Sequence, residues 1–115
     1  NMEFKTFLQT RGALDYRGVA RGGWLGDYMD PFTFLSMFTT EGGGNASGWS
    51  SRPFVDALTR ANREPDPSRR DELLAKAEAI LLDAQPIIPL YSSATNWMKK
   101  PFVKGLYPNA AMYSY

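Results

Sequence analysis

One helix constrains the fold of this chain more than any other feature of its sequence. Asp66 and Pro67 combine a helix-capping side chain with a proline that suits the first helical turn. Apolar residues then recur at the spacing of one helix face until Pro86, namely at Leu73, Ala77, Ile80, Leu81 and Ala84. The pattern predicts a long amphipathic helix with one face in a core.

Three shorter helices are predicted upstream. Residues 2–11 form the first, which stops at Gly12, and Asp30-Pro31 opens the second. Ser51 can cap the third, which extends to about residue 62. Their predicted apolar faces are Phe4, Phe7 and Leu8 in the first, Phe34, Met37 and Phe38 in the second, and Phe54, Leu58 and Ala61 in the third.

Two segments are predicted to be β-strands. Residues 87–92 follow the long helix as an apolar run, although Pro89 lacks an amide donor and favours an edge or a bulge. Residues 14–24 carry spaced apolar side chains between glycines, and the tail from Asn96 is predicted to form short strands and loops. The expected architecture is therefore a mixed α and β chain with one continuous core.

The composition excludes several classes of function. With 13 Lys and Arg against 12 Asp and Glu, the net charge of +1 gives no electrostatic reason to expect a nucleic-acid partner. The chain has no Cys and no His, which excludes thiolate or imidazole metal ligands, a Cys nucleophile and a Ser-His-Asp triad. These absences make most familiar hydrolase chemistry unavailable, and we expect no catalytic His or Cys, no metal and no cofactor.

The segment from Trp24 to Asp30 is the densest chemical feature of the chain. It lies where a predicted strand gives way to a predicted helix, a position where many folds bind ligands. Asp30 is best explained as a helix cap, while for Asp27 a turn cap and a ligand-binding carboxylate are equally compatible with the spacing. Arg21 could hold a carboxylate or be an ordinary solvated side chain, and position alone favours the second.

Several motifs in the same order resemble those of one protein family. RGGWLGDYMDPFTFL, NASGWSSRPFVDAL and RRDELLAKAEAILLDAQPIIPLY are similar to blocks of the periplasmic oligopeptide- and dipeptide-binding proteins, which are family 5 of the solute-binding proteins of ABC importers. The opening MEFKTFLQTRG and the late VKGLYPN extend the resemblance over nearly the whole chain.

The resemblance implies a fold and a setting. We expect an α/β (mixed α+β) segment, the C-terminal part of a type 2 periplasmic-binding-protein fold with a mixed sheet packed by helices. Residues 1–115 would be one segment of the peptide-binding lobe of a larger protein, with the last residues returning to the first lobe. That protein would be periplasmic or otherwise extracytoplasmic and membrane-associated, would not be an enzyme, and would deliver oligopeptides or dipeptides to a membrane permease.

The resemblance also assigns roles residue by residue. Asp27 would receive the α-ammonium group of a bound peptide, and Trp24 would form the wall of a side-chain pocket. Gly23 and Leu25 would offer main-chain hydrogen bonds, and Arg21 falls where some oligopeptide binders hold the peptide carboxylate. The implied partners are the peptide ligand, the permease subunits of an ABC transporter in the inner membrane, and the remainder of the full-length chain.

Two alternatives remain open at this stage. The same fold could bind a non-peptide solute such as an oligosaccharide or a nickel complex. A less favoured alternative is a carbohydrate-active domain that uses Asp27 and Asp30 as a carboxylate pair. Glycoside hydrolysis needs one of the two pKa values to be raised, whereas a helix cap would keep Asp30 ionised.

Overall fold

The regular structure of this chain is helical. A computed structural model describes residues 2–39, 44–92, 94 and 98–105. Within those ranges it forms four α-helices, α1 (Phe4–Gly12), α2 (Phe32–Leu35), α3 (Arg52–Arg63) and α4 (Pro67–Ala84), and a 3-10 turn at Ser36–Phe38 that continues α2.

Helices α3 and α4 pack against each other and contain most of the buried residues. The Ser51 hydroxyl accepts a hydrogen bond from the Phe54 amide at 3.4 Å and begins α3, as predicted. The Asp66 carboxylate accepts one from the Arg69 amide at 2.9 Å and begins α4, as predicted. Gln85 ends α4 in a left-handed conformation, with φ of 50°.

The core lies between these two helices and the turn that follows α2. Phe54 is fully buried, and its ring contacts that of Trp49 edge-on, with 5.1 Å between the ring centroids. The apolar residues buried with it are Leu35, Phe38, Ala57, Leu58, Ala61, Leu74, Ala77 and Leu81. The predicted face of α3 is therefore confirmed.

The predicted core faces of the other helices are right only in part: Ala77 and Leu81 of α4, and Phe38 after α2, are buried as predicted. On α4, Leu74 is buried while Ala84 is exposed. Apolar residues stand at both 73 and 74 and at both 80 and 81, so the periodicity alone does not select which pair faces α3. On α2, Leu35 is buried and Phe34 lies outside the core, and α1 buries none of its side chains.

The predicted strands are wrong for the residues that the structure describes. Residues 14–24 have no regular structure, and Leu14 and Gly18 both have positive φ, which breaks an extended run. Residue 87 lies in a bend, residues 88–92 have no regular structure, and Ile88 is 67% exposed. An apolar run shows a preference for burial, but a strand also needs a neighbour to pair its amides and carbonyls, and none is supplied here.

The expected α/β class with a mixed sheet is therefore corrected to a helical arrangement within the described ranges. The predicted strands of the tail lie partly outside them, because residues 95–97 and 106–115 are not described. Among the residues with described positions, no helix combines the length and the apolar character needed to span a bilayer.

The irregular segment between α1 and α2 is attached to the loop before α3. The Tyr16 hydroxyl donates to the Ala46 carbonyl at 2.8 Å. In that loop, the Asn45 side-chain amide donates to the Trp49 carbonyl at 2.6 Å, and its Oδ1 accepts from the Ser47 hydroxyl at 2.6 Å. The Tyr16 bond thus attaches the irregular stretch that leads to the candidate site, and the Asn45 bonds organise the loop that accepts it.

Candidate functional site

The candidate site is the segment of residues 21–30, which joins the irregular stretch after α1 to the start of α2. It contains all five predicted ligand-binding residues, Arg21, Gly23, Trp24, Leu25 and Asp27. All five are exposed, Trp24 being 45% exposed. The structure thus places them together on one accessible segment, but not on the strand expected from the sequence.

Asp27 is held by the first turn of α2. Its amide donates to the Thr33 hydroxyl oxygen at 3.1 Å, and the same hydroxyl donates to Asp27 Oδ2 over a longer 3.4 Å. Thr33 is buried, with 2% of its surface exposed. Asp27 therefore combines an exposed carboxylate with a backbone and side chain that are both attached to a buried residue.

Gly26 lets this segment approach α2 closely. A Cβ atom at this position would lie 3.0 Å from the Phe34 ring and 3.2 Å from the Thr33 methyl group. Both distances are shorter than an ordinary van der Waals contact. The absence of a side chain at Gly26 thus brings the amide of the next residue, Asp27, within hydrogen-bonding distance of Thr33.

Asp30 joins the other end of the segment to α4. Its Oδ1 accepts from the Phe32 amide, the first amide of α2, at 2.8 Å, as expected of a capping side chain, although Asp30 stands one position before the N-cap residue, Pro31. The Arg70 guanidinium donates to both carboxylate oxygens, from Nη1 to Oδ2 at 2.7 Å and from Nη2 to Oδ1 at 2.9 Å. The hydrogen bonds from Arg70, and secondarily the Phe32 amide, hold the pKa of Asp30 below its ordinary value.

This ionisation state counts against the carboxylate-pair alternative. A glycosidase general acid needs a raised pKa so that it carries a proton at neutral pH. Asp30 has the opposite shift, and both of its oxygens are occupied by Arg70. The pair Asp27 and Asp30 therefore lacks the acid that glycoside hydrolysis requires.

Sequence reasoning missed two residues that position the site. Arg70 is not among the predicted site residues, but it lies four, seven and eleven residues before Leu74, Ala77 and Leu81 on the buried face of α4. That register could have identified it. Thr33 carried no such signal, because a threonine in a first helical turn is ordinary.

A metal centre would need a cluster of suitable ligands. Within the described ranges, no group of three or more His, Cys, Asp or Glu side chains could hold a metal ion.

Comparison with known proteins places this segment in context. No protein-family model matches the chain. It is 36% identical over 107 residues to the oligopeptide-binding protein OppA of Bacillus subtilis, which covers 92% of this chain and 19% of that protein. It is 34% identical to the periplasmic murein peptide-binding protein MppA of Escherichia coli, over 94% of this chain and 20% of that protein.

Two further relatives widen the range of named ligands. The dipeptide-binding protein DppE of Bacillus subtilis is 33% identical over 92% of this chain and 19% of its own length. A probable deoxycholate-binding periplasmic protein of Escherichia coli, YgiS, is 31% identical over 90% of this chain and 19% of its own length. The chain thus spans about a fifth of the length of the curated relatives it matches.

These matches confirm the resemblance to oligopeptide- and dipeptide-binding proteins. These relatives are named as binding proteins, in agreement with the prediction that the chain is part of a binding protein. The name of MppA confirms the expected periplasmic or extracytoplasmic location.

Proposed function

Because the chain is related to the oligopeptide- and dipeptide-binding proteins, we propose that it is part of the peptide-binding lobe of an ABC importer's solute-binding protein. That protein binds oligopeptides or dipeptides in a cleft between two lobes and delivers them to permease subunits in the membrane. The observation that carries this proposal is the exposed Asp27 carboxylate, which Thr33 holds on a segment that ends at the Asp30–Arg70 ion pair.

Asp27 receives the α-ammonium group of the peptide. A receptor for many peptides must recognise the groups that all peptides share, and the charged amine is one of them. Burying an ammonium group without an opposite charge is costly, so a carboxylate at a fixed position is required. Removing one partner of such a buried pair costs about 3–5 kcal/mol.

The neighbouring residues recognise the rest of the peptide. Gly23 and Leu25 provide main-chain hydrogen bonds to an extended ligand, in the manner of an added strand. The exposed Trp24 ring offers apolar surface for a side chain, and water in a roomy pocket allows that side chain to vary. Arg21 is exposed on the same segment and holds the carboxylate end.

A non-peptide solute is the second candidate, and the name of the deoxycholate-binding relative favours it. An anionic solute without an amine would reverse the roles of the charged residues. Arg21 would then attract the ligand and Asp27 would repel it. The two candidates therefore differ in which charge is essential.

Isothermal titration calorimetry on the full-length protein tests the proposal, with trialanine as the probe. We expect Asp27→Asn to weaken trialanine binding at least about tenfold, because the ammonium loses its counter-charge. Asp15→Asn removes another exposed carboxylate at the start of the same irregular stretch and is the matched control. Unchanged affinity in Asp27→Asn, or no trialanine binding by the wild type, would refute the proposal.

A further inference from the structure

A buried hydroxyl group faces the candidate amine-binding residue. Thr33 is the buried polar residue of the described part of the chain, and its Oγ1 atom bonds to the amide and the carboxylate of Asp27. Its own amide donates to the Asp30 carbonyl at 3.2 Å. Both the backbone and the side chain of Thr33 are therefore hydrogen-bonded to residues of the candidate site.

The hydroxyl is not required for packing. A valine has nearly the same shape as threonine and would fill this space, but it would leave the Asp27 amide without its acceptor. The Thr33 methyl group faces Gly26, since a Cβ atom at that position would lie 3.2 Å from it. What the hydroxyl adds is the pair of bonds to Asp27.

Those bonds leave one face of the Asp27 carboxylate open. The hydroxyl has a single hydrogen, which it directs to Oδ2. Within the described ranges, Oδ1 accepts no hydrogen bond and the side chain is exposed. One carboxylate oxygen thus bonds to Thr33, and the other belongs to an exposed side chain.

The support extends to the helical core. Thr33 lies in α2, whose first turn is capped by Asp30, and Asp30 is held by Arg70 of α4. The position of the Asp27 carboxylate is therefore fixed relative to α4 by a continuous series of hydrogen bonds. A carboxylate with such support loses less conformational entropy when a ligand binds.

We propose that Thr33 is a positioning residue that orients Asp27 for the amine of the ligand. This inference rests on the proposed function, since it assigns Thr33 a role only in amine recognition by Asp27. A positioning role predicts that the hydroxyl matters when the Asp27 carboxylate is present and not otherwise. A role confined to folding predicts the same effect in both cases.

A double-mutant cycle on the full-length protein separates these cases, with trialanine as the probe in calorimetric titrations. Thr33→Val is expected to weaken trialanine binding about threefold to tenfold in the wild-type background. In the Asp27→Asn background the same substitution is expected to change affinity less than about twofold. Thr33→Ser, which keeps the hydroxyl, is expected to restore most of the affinity.

Each outcome decides the question. An equal loss in both backgrounds, or no rescue by serine, overturns the inference, as does wild-type affinity in Thr33→Val. If Thr33→Val does not fold, judged by its thermal unfolding, Thr33→Ala takes its place in the same cycle. If Asp27→Asn alone leaves trialanine binding unchanged, the proposed function fails; if only the Thr33 variants leave it unchanged, the positioning role alone fails.

Discussion

Arg70 and Asp30, forty residues apart in the chain, form a two-pronged ion pair in which both guanidinium nitrogens Nη1 and Nη2 donate to the carboxylate. Both side chains are about one-quarter exposed, at 27% and 28%. The planar fork of an arginine matches the two oxygens of a carboxylate, which a lysine does not. This pair attaches the candidate site segment to the helical core.

Loss of the ion pair is expected to loosen that attachment. We expect Arg70→Gln in the full-length protein to lower the midpoint of thermal unfolding by about 2 °C, because Asp30 loses both donors. Arg69→Gln is the matched control, since Arg69 is the exposed neighbour on the same helix. Differential scanning calorimetry of both variants checks this, and equal midpoints in the two would contradict it.

The ion pair also predicts a pH dependence. Folding lowers the pKa of Asp30 below 3.8, so the unfolded state binds the proton more tightly than the folded state. The resulting contribution to stability is complete well above pH 3.8 and is lost as the pH falls through the lowered value.

The variant Asp30→Asn isolates this contribution, because asparagine still caps α2 but carries no charge. The difference in unfolding midpoint between wild type and Asp30→Asn is expected to be constant above about pH 6 and to shrink below about pH 4. Asp83→Asn, at an exposed position of α4, is the control. A difference that stays constant down to about pH 3 would show that the charge of Asp30 is not responsible.

Local signals in the sequence predicted the helices well. Ser51 and Asp66 cap the helices that they were expected to cap, and Phe54 is buried as its position in α3 predicts. Such signals act within one or two helical turns, so they do not depend on the rest of the fold. Asp30 shows the limit of such local signals. Its bond to the Phe32 amide is local and could be predicted, whereas its ion pair with Arg70 joins residues forty positions apart.

The pairing of strands and the contacts that support the site could not be predicted from the sequence. The apolar run around Ile88 indicates burial, but whether it pairs depends on a partner elsewhere. The motif identifies Trp24 and Asp27 as candidate residues, but it does not indicate which residues hold them in place. The hydrogen bonds of Thr33 depend on the approach of two segments, which no spacing in the sequence encodes.

The packing of α3 against α4 is expected to depend on Phe54. Its ring is fully buried and contacts Trp49. Phe54→Ala is expected to reduce the free energy of unfolding by about 3–5 kcal/mol, through lost burial and the cavity that remains. Leu82→Ala, at a residue that is 44% exposed on α4, is the control and should cost much less. Urea unfolding of the full-length variants measures both, and similar costs would contradict the assigned core.

The loop before α3 is expected to depend on the Asn45 side chain. Its amide donates to the Trp49 carbonyl and its oxygen accepts from Ser47. Asn45→Ala is expected to reduce the free energy of unfolding by about 1–2 kcal/mol, because these partly buried groups lose their partners. Asn62→Ala, at an exposed position of α3, serves as the comparison in the same urea titrations. Equal stability of the two variants would show that Asn45 does not organise the loop.

Trp24 is expected to affect ligand binding and not stability. Trp24 is 45% exposed and is not part of the buried core, so its side chain contributes little to the free energy of unfolding. In the proposed cleft the ring would be covered by a peptide side chain, and Trp24→Ala removes that apolar contact. We expect the affinity for trialanine to fall about threefold or more, with an unfolding midpoint within about 1 °C of the wild type. Phe4→Ala removes an exposed ring of α1, outside the candidate site, and is the control for calorimetric titration. A large loss of stability in Trp24→Ala would instead assign the ring a structural role.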